Sequence, residues 1–320
     1  MAMTLDGTYG ITAATWNTSN RPTNPVVGEF GYNTTNNQYE GWNGTAWATF
    51  GTGSAFYTAN IVVVGGGGGG GGFVGGGGGA GGFVAANLVS IAYGATYSIV
   101  VGAGGTGATN SQSTLPANTG SISSFYNFTA FGGGGGGTYN QNASWGGGLG
   151  GSGGGNGQQN NAAVYGSYGR GIPGQGYNGG YLTSGTAFCG GGGAGGFGAN
   201  GASTAAGGVG SINPIPGSTA GQLVSGAYYL AGGGGAGSST SSAGGNGGGG
   251  ATGVAGTANT GGGGGGANNS TGANGGSGVV IIAVPTANYP GNANVSGTYI
   301  YTVSGTNTIL QFNSNGSYTA

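Results

Sequence analysis

Ile61-Val62-Val63-Val64 runs straight into Gly65–Gly72, an unbroken series of eight glycines. Further runs follow at Gly75–Gly79, Gly132–Gly137, Gly190–Gly193, Gly232–Gly235, Gly247–Gly250 and Gly261–Gly266. A glycine-rich tract is by default a flexible linker, because glycine loses the most backbone entropy on ordering. Two features argue against that default here. Linkers carry no aliphatic clusters, yet Ser98-Ile99-Val100-Val101 and Val279-Val280-Ile281-Ile282 bracket these runs. A long disordered stretch with almost no charge is also poorly soluble, since disorder normally goes with high net charge. Glycine runs have an ordered alternative, an extended helix of three residues per turn with a rise of about 3.1 Å and no internal hydrogen bonds. Its N–H and C=O groups point outward and bond to neighbouring helices, helped by Cα–H···O contacts. A run of eight then spans roughly 25 Å. Collagen, the rival extended helix, needs strict Gly-X-Y triplets and abundant Pro. This chain has eight Pro and no triplet register. The expected fold is mainly irregular and β, with a polyglycine II helix bundle (a sandwich) over residues 54–284. Short β-hairpin segments flank it at residues 1–53 and 285–320, and almost no α-helix is expected.

The flanks read as hairpins. Glu29-Phe30-Gly31-Tyr32 and Gln38-Tyr39-Glu40-Gly41-Trp42 bracket the turn-forming Asn33-Thr34-Thr35-Asn36-Asn37. Asn43-Gly44 is the favoured two-residue hairpin turn, with Thr45–Phe50 as the return strand. That pairing brings Trp42 and Trp47 together. Near the other end, Tyr299–Val303 and Thr308–Phe312 flank Ser304-Gly305-Thr306-Asn307.

Charge is almost absent. Of 320 residues, 93 are Gly, and the only charged ones are Asp6, Arg21, Glu29, Glu40 and Arg170. The chain has no Lys and no His. General acid–base catalysis needs a titratable group near its task, and no carboxylate or imidazole lies beyond Glu40. Cys189 is the single cysteine, so neither a protein metal site nor an internal disulfide is expected, and Cys189 reads as a small buried thiol. No enzymatic activity and no cofactor are expected. Nucleic-acid binding relies on Lys and Arg neutralising phosphates, which two arginines do not supply. Membrane insertion needs about 20 consecutive apolar residues, and the longest apolar runs, such as Val279–Val284, are far shorter. The N-terminal Met1–Asp6 lacks the basic and apolar regions of a signal peptide, so assembly in a cytoplasm is expected. The many G-x-G-x-x-G patterns follow from composition and mark no nucleotide site.

The stretch Arg21–Glu29, with Tyr32-Asn33-Thr34 and Tyr39–Trp47 after it, resembles a segment recurring in tailed-bacteriophage fibre proteins. The body, from Asn60–Gly65 through Gly275–Ile282, resembles the glycine-rich domain of phage fibres and adhesins. The end, Ile309–Ala320, is similar to tails that often follow that domain. The resemblance implies a virion tail fibre or fibre-tip adhesin assembled in the host cytoplasm, with loops between the glycine runs touching the host surface. It implies a homotrimer, other tail and fibre proteins as partners, and a host surface glycan or outer-membrane protein as receptor. The N-terminal segment differs from the attachment domain of the best-known tip adhesins, which sit as single copies on a trimer. The alternatives are a structural virion protein, such as a head fibre or decoration, and an ice-binding protein.

Aromatic side chains in the connecting loops are the receptor-contact candidates: Tyr139, Trp145, Tyr165, Tyr168, Tyr177 and Tyr181, together with Arg170. Tyr and Trp give large rigid contact area at low entropy cost, and a lone cation pairs with an anionic glycan. The competing account is that the rings cover the ends of the glycine bundle and that Arg170 is a solvated charge. Glu29 and Glu40, weighed as a carboxylate pair for glycoside hydrolysis, lie on a short hairpin with no evident cleft.

Overall fold

A computed structural model describes residues 4–6, 10–49, 56–109, 116–139, 146–158, 168–183, 187–201 and 204–320. The described residues are β-strands and irregular segments, and their helical content is confined to short 3-10 turns such as Thr18–Asn20. Contacts divide the chain into two units, Met1–Ala55 and Phe56–Ala320.

In the first unit, Ala14–Trp16, Phe30–Asn33, Gln38–Trp42 and Trp47–Thr49 form a four-stranded sheet in that order. The first pair is parallel and the others are antiparallel. Trp42 stands opposite Trp47, with ring centroids 5.8 Å apart. Trp16 meets the same Trp47 edge-on at 4.9 Å. The hairpin between them is not the expected two-residue turn. The Asn43 side chain accepts the amides of Thr45 and Ala46 at 2.9 and 2.8 Å. That local bonding holds Thr45 and Ala46 in the turn, so the return strand starts at Trp47.

The second unit contains two five-stranded antiparallel sheets. The larger orders Tyr299–Ser304, Asn307–Phe312, Val279–Pro285, Phe56–Val64 and Phe83–Ala92. The other orders Phe128–Ala130, Ser123–Phe125, Thr96–Val100, Gly316–Thr319 and Val295–Ser296. Strand alternation decides what packs where. Tyr57, Ile61, Val63, Val280, Ile282, Leu310 and Phe312 from the larger sheet cluster with Ile99, Phe125 and Tyr318 from the smaller. The alternate residues Val62, Val64, Val279 and Ile281 cluster with Ile215 and Leu230 instead. Val279–Val284 is buried throughout because it lies mid-sheet with apolar partners on both faces. The unit thus has an apolar core of side chains between and beside its sheets.

The glycine runs bond in a different way. The amides of Gly65, Gly68 and Gly71 donate to the carbonyls of Gly82, Gly79 and Gly76. Those of Gly66 and Gly69 donate to Ser121 and Asn118, and those of Gly67 and Gly70 to Gly276 and Ala273. Each neighbour is met at every third residue. The carbonyls repeat the pattern toward three other segments. Gly66 and Gly69 accept from Gly133 and Gly136, Gly67 and Gly70 from Gly105 and Ala108, and Gly68 and Gly71 from Gly264 and Ala267. One run is therefore hydrogen-bonded to six surrounding segments. The same period recurs in the next run, where Gly75, Gly78 and Gly81 donate to Ala267, Gly264 and Gly261. Spacing this close leaves no room for side chains. A Cβ on Gly67 would lie 2.0 Å from the Gly262 carbonyl oxygen, and one on Gly77 2.0 Å from that of Gly234.

Candidate functional site

Three segments of the lattice lie side by side and carry aromatic rings. The Gly179 amide donates to the Gly169 carbonyl at 3.0 Å, and the Gly198 amide to the Asn178 carbonyl at 3.1 Å. This joins the segments holding Tyr168, Tyr177 with Tyr181, and Phe197. Each ring has a glycine on at least one side in the chain, namely Gly169, Gly176, Gly180, and both Gly196 and Gly198 around Phe197. Tyr168, Tyr177 and Tyr181 are 37, 41 and 39 % exposed, and Phe197 is 64 % exposed. Tyr168 and Tyr181 have centroids 6.4 Å apart, and Phe197 meets Tyr177 edge-on at 4.8 Å.

Two adjoining hollows open between these rings. One, of about 320 Å³, is lined by Tyr168, Tyr181, Phe197, Asn178 and Asn200 among others. The second, of about 490 Å³, shares Asn178 and Phe197 with it and extends to Tyr177, Phe83 and Pro173. Together they make one groove along the side of the glycine lattice. Asn178 and Asn200 use their carbonyl oxygens on the backbone, accepting the amides of Gly171 and Tyr181 at 2.9 and 3.2 Å. Their NH2 groups have no protein acceptor among the described residues.

A family model described as a glycine-rich domain matches residues 44–285. The chain belongs to the glycine-rich domain family. No curated protein matches this glycine-rich chain, and no solved structure does.

Within this glycine-rich protein the seven candidate residues separate. Tyr168, Tyr177 and Tyr181 come together in the groove. Tyr139 does not join them. It packs against Phe73 with centroids 5.5 Å apart. Phe73 sits in the turn between Gly65–Gly72 and Gly75–Gly82, at the end of those runs away from the sheets. Arg170 is exposed and does not line the groove, and its carbonyl accepts the Gly150 amide. Trp145 and Tyr165 lie outside the described residues.

Sequence reasoning passed over Phe197, Asn178 and Asn200. The available signal for Phe197 was a single ring in Gly195-Gly196-Phe197-Gly198, where no local packing partner exists. For the two asparagines there was none, since Asn is frequent throughout the chain.

Glu40, Glu29 and Cys189 are engaged in hydrogen bonding or buried. Glu40 is 1 % exposed and both its oxygens are occupied. Arg21 donates to it from Nε and Nη2, each at 2.7 Å. Trp16 Nε1 donates to Oε1, and Asn33 Nδ2 to both oxygens. The Arg21 hydrogen bonds, with help from Trp16 and Asn33, outweigh burial and lower its pKa to about 2. Glu29 accepts the Val26 amide at 3.1 Å. Cys189 is fully buried in the lattice, and burial pushes its thiol up to about 12. At neutral pH it is therefore an inert thiol.

Proposed function

We propose that the chain is a bacteriophage tail-fibre or fibre-tip adhesin that attaches the particle to the host surface. The observation that carries this reading is the hydrogen-bond lattice with a period of three, on whose flank aromatic rings stand exposed. A three-residue period is what polyglycine II helices packed side by side produce, and we take the runs to be such a bundle. A scaffold of this kind consumes almost no side chains in holding itself together. The few large ones it carries are free to face outward. The fibre-like segment Arg21–Trp47 and the glycine-rich body support a place on the virion, with assembly in the host cytoplasm as a homotrimer alongside other tail and fibre proteins. The receptor is a surface glycan or an outer-membrane protein, and the chain performs no chemistry on it.

The test is competition. Purified full-length protein should bind host cells and block adsorption of the phage that encodes it. Absence of both would leave a purely structural virion role, which imaging the chain on the particle would identify. A side-chain-resolution map of the particle would show whether each run is a three-fold helix and how many copies assemble.

A further inference from the structure

We propose that the lateral groove, rather than the turns at the ends of the glycine runs, binds an uncharged saccharide chain. The proposal deepens the adhesin reading and rests on it for its biological meaning. Its own basis is the chemistry of six side chains: Tyr168, Tyr177, Tyr181, Phe197, Asn178 and Asn200.

A pyranose ring has one face made largely of C–H groups and an edge made of hydroxyls. It needs an aromatic face for the first and directional polar groups for the second. The groove supplies both. Four exposed rings border two hollows that share Asn178 and Phe197. Both hollows fall in the range of about 300–1,000 Å³ typical of small-molecule sites. Each asparagine is held by its oxygen to the backbone, which fixes the amide and leaves its NH2 group to donate. A hydroxyl oxygen is the matching acceptor.

Charge selects among ligands. No Asp, Glu, Lys or Arg lines either hollow. An anionic sugar acid entering there would lose hydration without gaining a cation, which is costly. A neutral chain meets no such cost. A flat apolar partner such as a lipid tail would leave the two fixed NH2 groups unpaired. The rigid backbone beneath the rings means that little order is lost on binding.

The experiment uses purified full-length protein and an immobilised panel of neutral and anionic bacterial surface polysaccharides. At least one neutral polysaccharide should bind. Phe197→Ala and Tyr181→Ala should each weaken that binding about tenfold or more, as truncation of a central aromatic contact does. Tyr181→Phe keeps the ring and should stay within about twofold. Asn200→Asp retains an oxygen for the Tyr181 amide but cannot donate, so it should weaken binding about tenfold. Arg170→Ala should change nothing. Thermal melting of each variant must match the parent; if Phe197→Ala melts early, Tyr168→Ala takes its place. Binding confined to anionic polysaccharides, or binding unmoved by the groove variants, would overturn the proposal. Loss of adsorption competition with polysaccharide binding intact would instead sink the host-attachment reading and leave the groove standing.

Discussion

Glu40 shows how much one side chain carries in a chain with so few charges. Its carboxylate joins Arg21, Trp16 and Asn33, and so ties three strands to the segment before Phe30. The folded pKa is about 2, below the ordinary value of 4.5. Because the folded value is lowered, its stabilisation is complete above about pH 4.5. It fades as pH falls toward 2, where the folded group also takes up its proton. The Met1–Ala55 unit should therefore lose stability across that window. Tryptophan emission reads it selectively, since three of the four Trp lie at positions 16, 42 and 47. Glu40→Gln should cost about 1–3 kcal/mol at neutral pH, the worth of hydrogen bonds to a charged group, and should flatten the acid dependence. Urea titration followed by the same emission checks both. Gly77 is the matching case in the second unit. Gly77→Ala drives a methyl into the Gly234 carbonyl, so it should cost about 3 kcal/mol or more by overpacking, seen as a lower calorimetric midpoint.

At the scale of elements, the turn joining Gly65–Gly72 to Gly75–Gly82 holds two successive non-glycine residues in the left-handed region. Phe73 and Val74 both have positive φ, 45° and 52°. That region is costly for any side chain and most so for a β-branched one. Val74→Asn should raise stability by about 1 kcal/mol, because Asn tolerates the left-handed region. Thermal unfolding followed by circular dichroism would register the gain; a loss would mean that Val74 packing outweighs the strain. The elements also show what could be read from the sequence. The Trp42–Trp47 pairing was legible because alternation and turn residues are local signals. The strands bordering the glycine runs were legible as aliphatic clusters. Their partners were not: Val279–Pro285 pairs with both Phe56–Val64 and Asn307–Phe312, and nothing local encodes the first of these pairings, across more than two hundred residues. The groove was half legible. Three of its tyrosines stood out as rings in loops, whereas grouping them with Phe197 and two asparagines required the lattice that sets the segments side by side.

For the molecule as a whole, charge is the distinguishing property. Arg170 is the only formally charged side chain in Phe56–Ala320. The second unit should therefore unfold at the same temperature from about pH 4 to about pH 7.5, below the range where the unfolded Cys189 thiol ionises, and from low to molar NaCl, since no side chain there titrates in that interval and salt has little to screen. Differential scanning calorimetry would show one transition moving with acid and the other still. Movement of both would mean that the two units are energetically coupled.

The period of three sets a rule for how such a chain tolerates insertions. Successive amides of the run address three different neighbours in turn. Adding one or two residues inside Gly65–Gly72 would aim every later amide at the wrong segment. Adding three would restore each to its own partner, one layer further along. Lineages of such chains should then lengthen their glycine runs in whole triplets, while connecting turns vary freely in length.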